Sequence, residues 1–288
     1  MSDVRPLVPA DADAVYDLQV ETFRELDRRM GLDYPDAPGD PEPGHRRIRH
    51  LATTDPGGAW IAVDGDGTPA GAALALVREG LWGLSLLVVR PDRQSSGVGS
   101  ELMRRALAYG NGISTRGIIL ATPDPRALRT YWRAGFTPRP AFDAVGQVRR
   151  RPPMPDGVRV GSWPGDRDVV DAAGRHVRGA SHAADAPNWF AAGNELLVHE
   201  AGGFAVHDGS QLRTLAALDV GAAAELLRAA LHRAKHGEAF HADFLDALQD
   251  WAIDVVLEAG LELRPSGGTF VRGDVGPMRP YLPSGAYL

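Results

Sequence analysis

The residues best equipped for chemistry lie in one run, Leu-Leu-Val-Val-Arg-Pro-Asp-Arg-Gln-Ser-Ser-Gly-Val-Gly-Ser, residues 86–100. An apolar stretch ends at Arg90-Pro91. Gln94-Ser95-Ser96-Gly97-Val98-Gly99 then lead into a helical pattern from Ser100 to Tyr109. The first N–H groups of a helix have no partner inside it and carry the positive end of its dipole, so they suit a phosphate. Gly97 and Gly99 lack the Cβ atoms that would hold a ligand off the backbone, and Ser95, Ser96 and Ser100 add hydroxyls. The run predicts a strand, a pyrophosphate cradle and a helix N-terminus; the plain alternative is a helix start whose glycines serve only the turn. Two better-known phosphate loops are excluded. Gly-x-x-x-x-Gly-Lys-Ser/Thr needs a lysine, and Lys235 is the only one in the chain. Gly-x-Gly-x-x-Gly has a different spacing.

The elements that must position this loop follow from periodicity. Val4-Arg5 opens a short strand, and residues 11–28 follow a helical pattern with Val15, Leu18, Phe23 and Leu26 near one face. Residues 35–43 form a proline- and glycine-rich loop, and 45–52 a short helix. Strands are expected at 59–63, 70–77 and 81–89, with hairpin turns at Asp64-Gly-Asp-Gly-Thr68 and near Glu79-Gly80. After the loop and its helix come a buried strand at 117–121, a helix at 125–134 with proline in its first turn, and a further strand after Gly135-Phe136.

Residues 149–155, with three arginines and three prolines, have the composition of a linker. The order of elements then recurs: a strand at 158–160, a helix over 166–180, strands at 195–199, 203–207 and 211–218, a helix over 222–235, a strand at 240–244 and a helix over 248–259. Arg133-Ala-Gly-Phe-Thr-Pro-Arg-Pro140 matches Glu258-Ala-Gly-Leu-Glu-Leu-Arg-Pro265. Recurrence on this scale indicates duplication. The second copy has Asp219-Val-Gly-Ala-Ala-Ala-Glu225 where the first has its glycine-rich loop, and Val256 where the first has Tyr131. It is expected to be a scaffold beside the first site. The tail, residues 276–288, is proline-rich and carries Tyr281 and Tyr287; it is expected either to pack as an extended segment that walls the site or to fray.

Bulk properties narrow the class. The chain has 288 residues, 44% of them hydrophobic, enough for one large or two ordinary cored domains. There is no cysteine, which excludes disulfides, zinc thiolates and a cysteine nucleophile. A net charge of −6 argues against nucleic acid as a partner. No signal peptide or membrane span is evident, so a cytoplasmic location is expected. Arginine in place of lysine, with abundant alanine, fits a GC-rich bacterial source. His199 and His207 fall on one predicted hairpin, and His232 and His236 lie one helical turn apart. No third ligand or His-Glu-x-x-His accompanies them, so no metal is expected.

With the preceding Val89-Arg-Pro91, the Gln-x-x-Gly-x-Gly spacing resembles the acetyl-CoA loop of the GNAT superfamily, the general N-acetyltransferases. Ala127-Leu-Arg-Thr-Tyr-Trp-Arg-Ala-Gly-Phe136 resembles that family's Ala-x-x-x-Tyr-x-x-x-Gly-Phe helix. The resemblance implies an α/β (α+β) chain of two tandem GNAT-like domains, each a mixed, mostly antiparallel sheet flanked by helices. Residues 1–148 would be the catalytic acetyl-CoA-binding domain and 149–288 a degenerate copy without the pyrophosphate loop. In the family the strand before the loop splays from the next, and the pantetheine arm inserts like a false strand; here these are 84–89 and 117–121. Backbone groups of Leu87, Val88 and Val89 would bind the arm and polarise the thioester. Gln94, Ser95, Ser96, Gly97, Val98, Gly99 and Ser100 would hold the pyrophosphate. Tyr131 would donate a proton to the CoA sulfur, since a phenol of pKa about 10 stays protonated at neutral pH. Asp124 stands where many relatives carry asparagine.

The general base stays open among Glu79, Glu21, Glu25 and a chain of waters, because residues 84–89 hold no carboxylate. The implied activity is transfer of acetyl from acetyl-CoA to a primary amine, small or peptidyl, in a ternary complex without metal, by a monomer or homodimer. The rival readings are an acyl-CoA-binding regulatory protein with little catalysis, and a transferase of longer acyl groups.

Overall fold

Helical spacing of apolar side chains sets the first elements. A computed structural model describes residues 2–31 and 39–288. Helix α1 (Ala12–Met30) buries Val15, Leu18, Thr22 and Leu26, one turn apart along one face. Residues 35–38 of the 35–43 loop lie outside the described residues, and α2 (Glu42–Thr54) begins within its last part. Strands β1 (Asp3–Pro6), β2 (Ala59–Val63), β3 (Pro69–Arg78) and β4 (Leu81–Val89) follow in that spatial order, with Val4 opposite Ala62 and Ile61 opposite Ala72. Nearly every residue of β3 and β4 is buried, as for strands covered on both faces. Helix α3 (Val98–Tyr109) is fastened to β4 by the indole N–H of fully buried Trp82, which donates to the Ala106 carbonyl at 3.0 Å.

The chain divides into two compact units, Met1–Val77 with Trp82–Thr115, and Arg78–Leu81 with Arg116–Leu288. The second unit begins with β5 (Arg116–Ala121), α4 (Pro125–Arg133), β6 (Thr137–Arg139) and β7 (Ala141–Gln147). It continues through β8 (Val158–Val160), α5 (Arg167–Arg178), α6 (Ala186–Ala191), β9 (Glu195–His199), β10 (Gly203–His207) and β11 (Leu212–Ala217). Then come α7 (Val220–His232), β12 (Ala239–Asp246), α8 (Asp250–Glu258), β13 (Glu262–Pro265), β14 (Gly268–Arg272) and β15 (Tyr281–Leu282). Strands β15-β11-β10-β9-β8 form one sheet. Leu197, Leu215, Leu226, Leu227 and Phe240 join its core with α7 and α8.

The remaining strands do not keep to a boundary at 148/149. Strand β14 lies between β5 and β6, antiparallel to both, with Phe270 opposite Ile119 on one side and Pro138 on the other. Strand β7 lies between β12 and β13, with Val145 opposite His241 and Ala144 opposite Leu263. The exchange is reciprocal. A single residue, Pro140, separates β6 from β7, too little for a hairpin loop of two residues, so the chain passes on to another partner. At the return crossing, a Cβ on Gly267 would stand 2.1 Å from the Ala121 carbonyl oxygen, and only glycine fits.

Two buried ionic groups stiffen the second unit. Arg78 and Asp185 form a bidentate pair at 2.7 and 2.8 Å. Losing one partner of such a pair costs about 3–5 kcal/mol. Arg178, fully buried, donates to the carbonyls of Ala180, Ser181, Tyr287 and Leu288. The expected linker is fixed too, because Arg151 donates to the Leu231, His232 and Ala234 carbonyls at the end of α7.

Candidate active site

The glycine-rich run sits, in the first unit, between the end of β4 and the start of α3. Gly97 is the N-cap of α3 at φ 95°, and no side chain caps the helix. Ser95 is also left-handed, at φ 63°. Alternation of left- and right-handed residues turns successive amide N–H groups toward one concavity, the geometry of an anion nest. Ser95, Ser96, Gly97 and Ser100 are exposed.

Two of the expected phosphate contacts are engaged elsewhere. The Gln94 side-chain amide donates to the Val89 carbonyl at 3.0 Å, and the Ser96 hydroxyl donates to the Arg93 carbonyl at 2.5 Å. The first ties the loop to the strand end, the second closes a turn within the loop, and Ser95 and Ser100 stay exposed. Arg90 and Arg93 flank the loop and share Asp64, whose carboxylate they hold far below its usual range. Val88 is buried, while Leu87 and Val89 are half-buried on β4.

Tyr131 lies in the second unit on α4, a helix capped by Asp124, which accepts from the Arg126 N–H at 3.0 Å and pairs with the Arg126 guanidinium. The phenol is buried, whereas Trp132 beside it is 62% exposed, so α4 turns Tyr131 inward. Burial first, and the charge of Asp124 second, push the phenol well above its ordinary pKa. It holds its proton at every physiological pH.

The candidate bases fare differently. Glu79, at the turn between β3 and β4, forms a bidentate pair with Arg175 and accepts from the Ser181 N–H, and Arg175 draws its carboxyl below the usual range. That carboxylate acts as a clamp and is a poor proton acceptor. Glu21 and Glu25 line an open groove of about 560 Å³ with Arg24 and Pro91, and Glu25 pairs with Arg28. Among the described residues, no three His, Cys, Asp or Glu side chains are gathered to hold a metal. His199 pairs with Glu225 at 2.9 Å, and His232 Nδ1 meets the Pro152 carbonyl at 2.9 Å. No helix among the described residues is long and apolar enough to cross a membrane.

Residues 12–136 match the model of the acetyltransferase (GNAT) family. By this match the span 12–136 is a GNAT acetyltransferase domain. Solved structures extend the likeness. A putative acetyltransferase from Pyrococcus horikoshii is 16% identical with a TM-score of 0.80, covering 100% of this chain and 96% of its own. A GCN5-related N-acetyltransferase from Sphaerobacter thermophilus is 18% identical at TM-score 0.58, covering 96% and 97%. A tandem GNAT protein from the clavulanic acid biosynthesis pathway is 15% identical at TM-score 0.55, covering 96% and 99%. At these identities the likeness establishes the fold. No curated protein matches the chain.

Helix α7, which the sequence pattern sets against α3, begins differently. Asp219 caps α7, its side chain accepting from the Ala222 N–H at 3.0 Å, so the chain itself satisfies that helix start. The tail is ordered. Leu282 stands opposite Leu215 and Tyr281 opposite Ala216, so β15 completes the edge of β11. The Tyr281 hydroxyl meets His182 Nε2 at 3.2 Å, and Tyr281 and Tyr287 are buried. Neither β14 nor β15 is anticipated by periodicity, because each is short and flanked by proline or glycine.

Proposed function

We propose that the chain is an N-acetyltransferase that moves acetyl from acetyl-CoA to a primary amine by direct transfer in a ternary complex. The observation that carries this reading is the uncapped, glycine-entered start of α3 directly after β4, in a span that matches the GNAT model. In this reading the amides of residues 95–100 hold the CoA pyrophosphate. Backbone groups of Leu87, Val88 and Val89 hold the pantetheine arm and polarise the thioester carbonyl. Gln94 acts indirectly, fixing the loop to the strand.

The neutral amine attacks the thioester carbon, and the carbon–sulfur bond breaks as the tetrahedral intermediate collapses. Tyr131 gives its phenolic proton to the departing thiolate, and solvent returns one to the tyrosinate. Burial that raises the phenol also raises a thiol in the same surroundings, so donor and acceptor stay matched. The amine loses its own proton to water, with Glu21 or Glu25 within the groove on α1 as further acceptors. Residues 149–288 act as a degenerate copy without a cofactor loop of their own.

A thiol-release screen with acetyl-CoA over small amines and lysine peptides tests the reading. Release must depend on the amine. Tyr131→Phe should lower kcat by about 10- to 100-fold while cofactor affinity changes less than about twofold. Cofactor binding with no amine-dependent release would reduce the chain to an acyl-CoA-binding protein.

A further inference from the structure

We propose that Phe270, carried by the exchanged strand β14, is a positioning residue for Tyr131, so that the second half of the sequence takes part in the first half's chemistry; this rests on the acetyltransferase reading above. The rings of Tyr131 and Phe270 meet edge to face, with centroids 5.6 Å apart and planes at 72°. Phe270 is 2% exposed, and its strand is held by ladders on both sides, opposite Ile119 and Pro138. The same strand reaches the end of the tyrosine helix a second time. The Arg272 guanidinium lies 4.8 Å over the ring of buried Phe136, whose N–H donates to the Tyr131 carbonyl.

A phenol hydroxyl sits at the far end of its side chain, so a small rotation about Cα–Cβ sweeps it through a large arc. Proton donation requires the donor within hydrogen-bond reach of sulfur, and a misplacement of about 1 Å can cost about 100-fold in rate. An edge-to-face partner on a doubly paired strand restricts that rotation without touching the proton. The GNAT domain matched over 12–136 thus takes this ring contact from residues 268–272, far outside the matched span.

A double-mutant cycle between Phe270→Leu and Tyr131→Phe tests the assignment, with thermal unfolding as a control. Phe270→Leu alone should lower kcat about 5- to 20-fold with KM for acetyl-CoA within about twofold. In the Tyr131→Phe background it should have no further effect on kcat. Equal losses in both backgrounds would show that Phe270 only supports the fold and would overturn the proposal. If Tyr131→Phe alone leaves kcat unchanged, the acid role itself fails, and the positioning role with it. Should Phe270→Leu fail to fold, Phe270→Met keeps the volume without the ring and enters the same cycle.

Discussion

Gly97 has a left-handed backbone, and no atom lies within 4 Å of the Cβ it lacks. Its requirement is therefore conformational and not steric. Alanine at φ 95° carries strain of about 1 kcal/mol, which the loop can relieve by turning its amides away from a common point. Gly97→Ala should thus raise Kd for CoA about 3- to 10-fold, by titration calorimetry, with the melting temperature nearly unchanged. An unaltered Kd would mean that the amides of this turn do not hold the diphosphate. The glycine spacing and the tyrosine helix were legible in sequence because each is a local pattern. The commitments of Gln94 to Val89 and of Glu79 to Arg175 were not. A side chain's choice between ligand and backbone depends on how the loop turns back, and Glu79 meets a residue from a helix far along the chain.

At the scale of elements, amphipathic helices and paired strands emerge from periodicity, and irregularities do not. The ladder between β7 and β12 shifts register between Ala242 and Leu245, which leaves Asp243 and Phe244 outside regular pairing and Phe244 left-handed at φ 61°. The Phe244 N–H donates to Asp143 at 3.0 Å, and Gln211 donates to Asp243 at 2.9 Å. Burial, and then the neighbouring charge of Asp243, push Asp143 up to about 6. The folded state therefore binds a proton more tightly than the unfolded chain, whose aspartate titrates near about 3.9. The stabilisation from this site is complete below about pH 4 and is lost as pH rises through about 6. Asp143→Asn keeps an acceptor for Phe244 without the charge. Urea unfolding should show the variant gaining about 1–2 kcal/mol on the wild type at pH 8 relative to pH 4.5. A difference independent of pH would mean that Asp143 is not the group that titrates.

For the molecule as a whole, a recurring order of elements was legible in sequence, and the placement of β14 between β5 and β6 and of β7 between β12 and β13 was not. Repeated peptides show that a pattern recurs, but they do not say which copy's last strand fills which sheet. Here the short spacer at Pro140 and the bare backbone at Gly267 decide it. Removing residues 149–288 would take β14 from between β5 and β6 and leave β7 without β12 and β13. Open ladders of this kind expose unpaired amides and carbonyls and invite pairing with another chain. For β7 to fold back into the gap within its own fragment, β6 would have to reverse direction across one proline, which the turn geometry does not allow. A fragment of residues 1–148 is therefore expected to run as a strand-exchanged dimer or to aggregate in size-exclusion chromatography. Co-expression with 149–288 should recover a one-to-one complex that binds CoA. A folded monomer of 1–148 with the affinity of the intact chain would show that the first half completes its own sheet, and Tyr131 would then need no ring from the second.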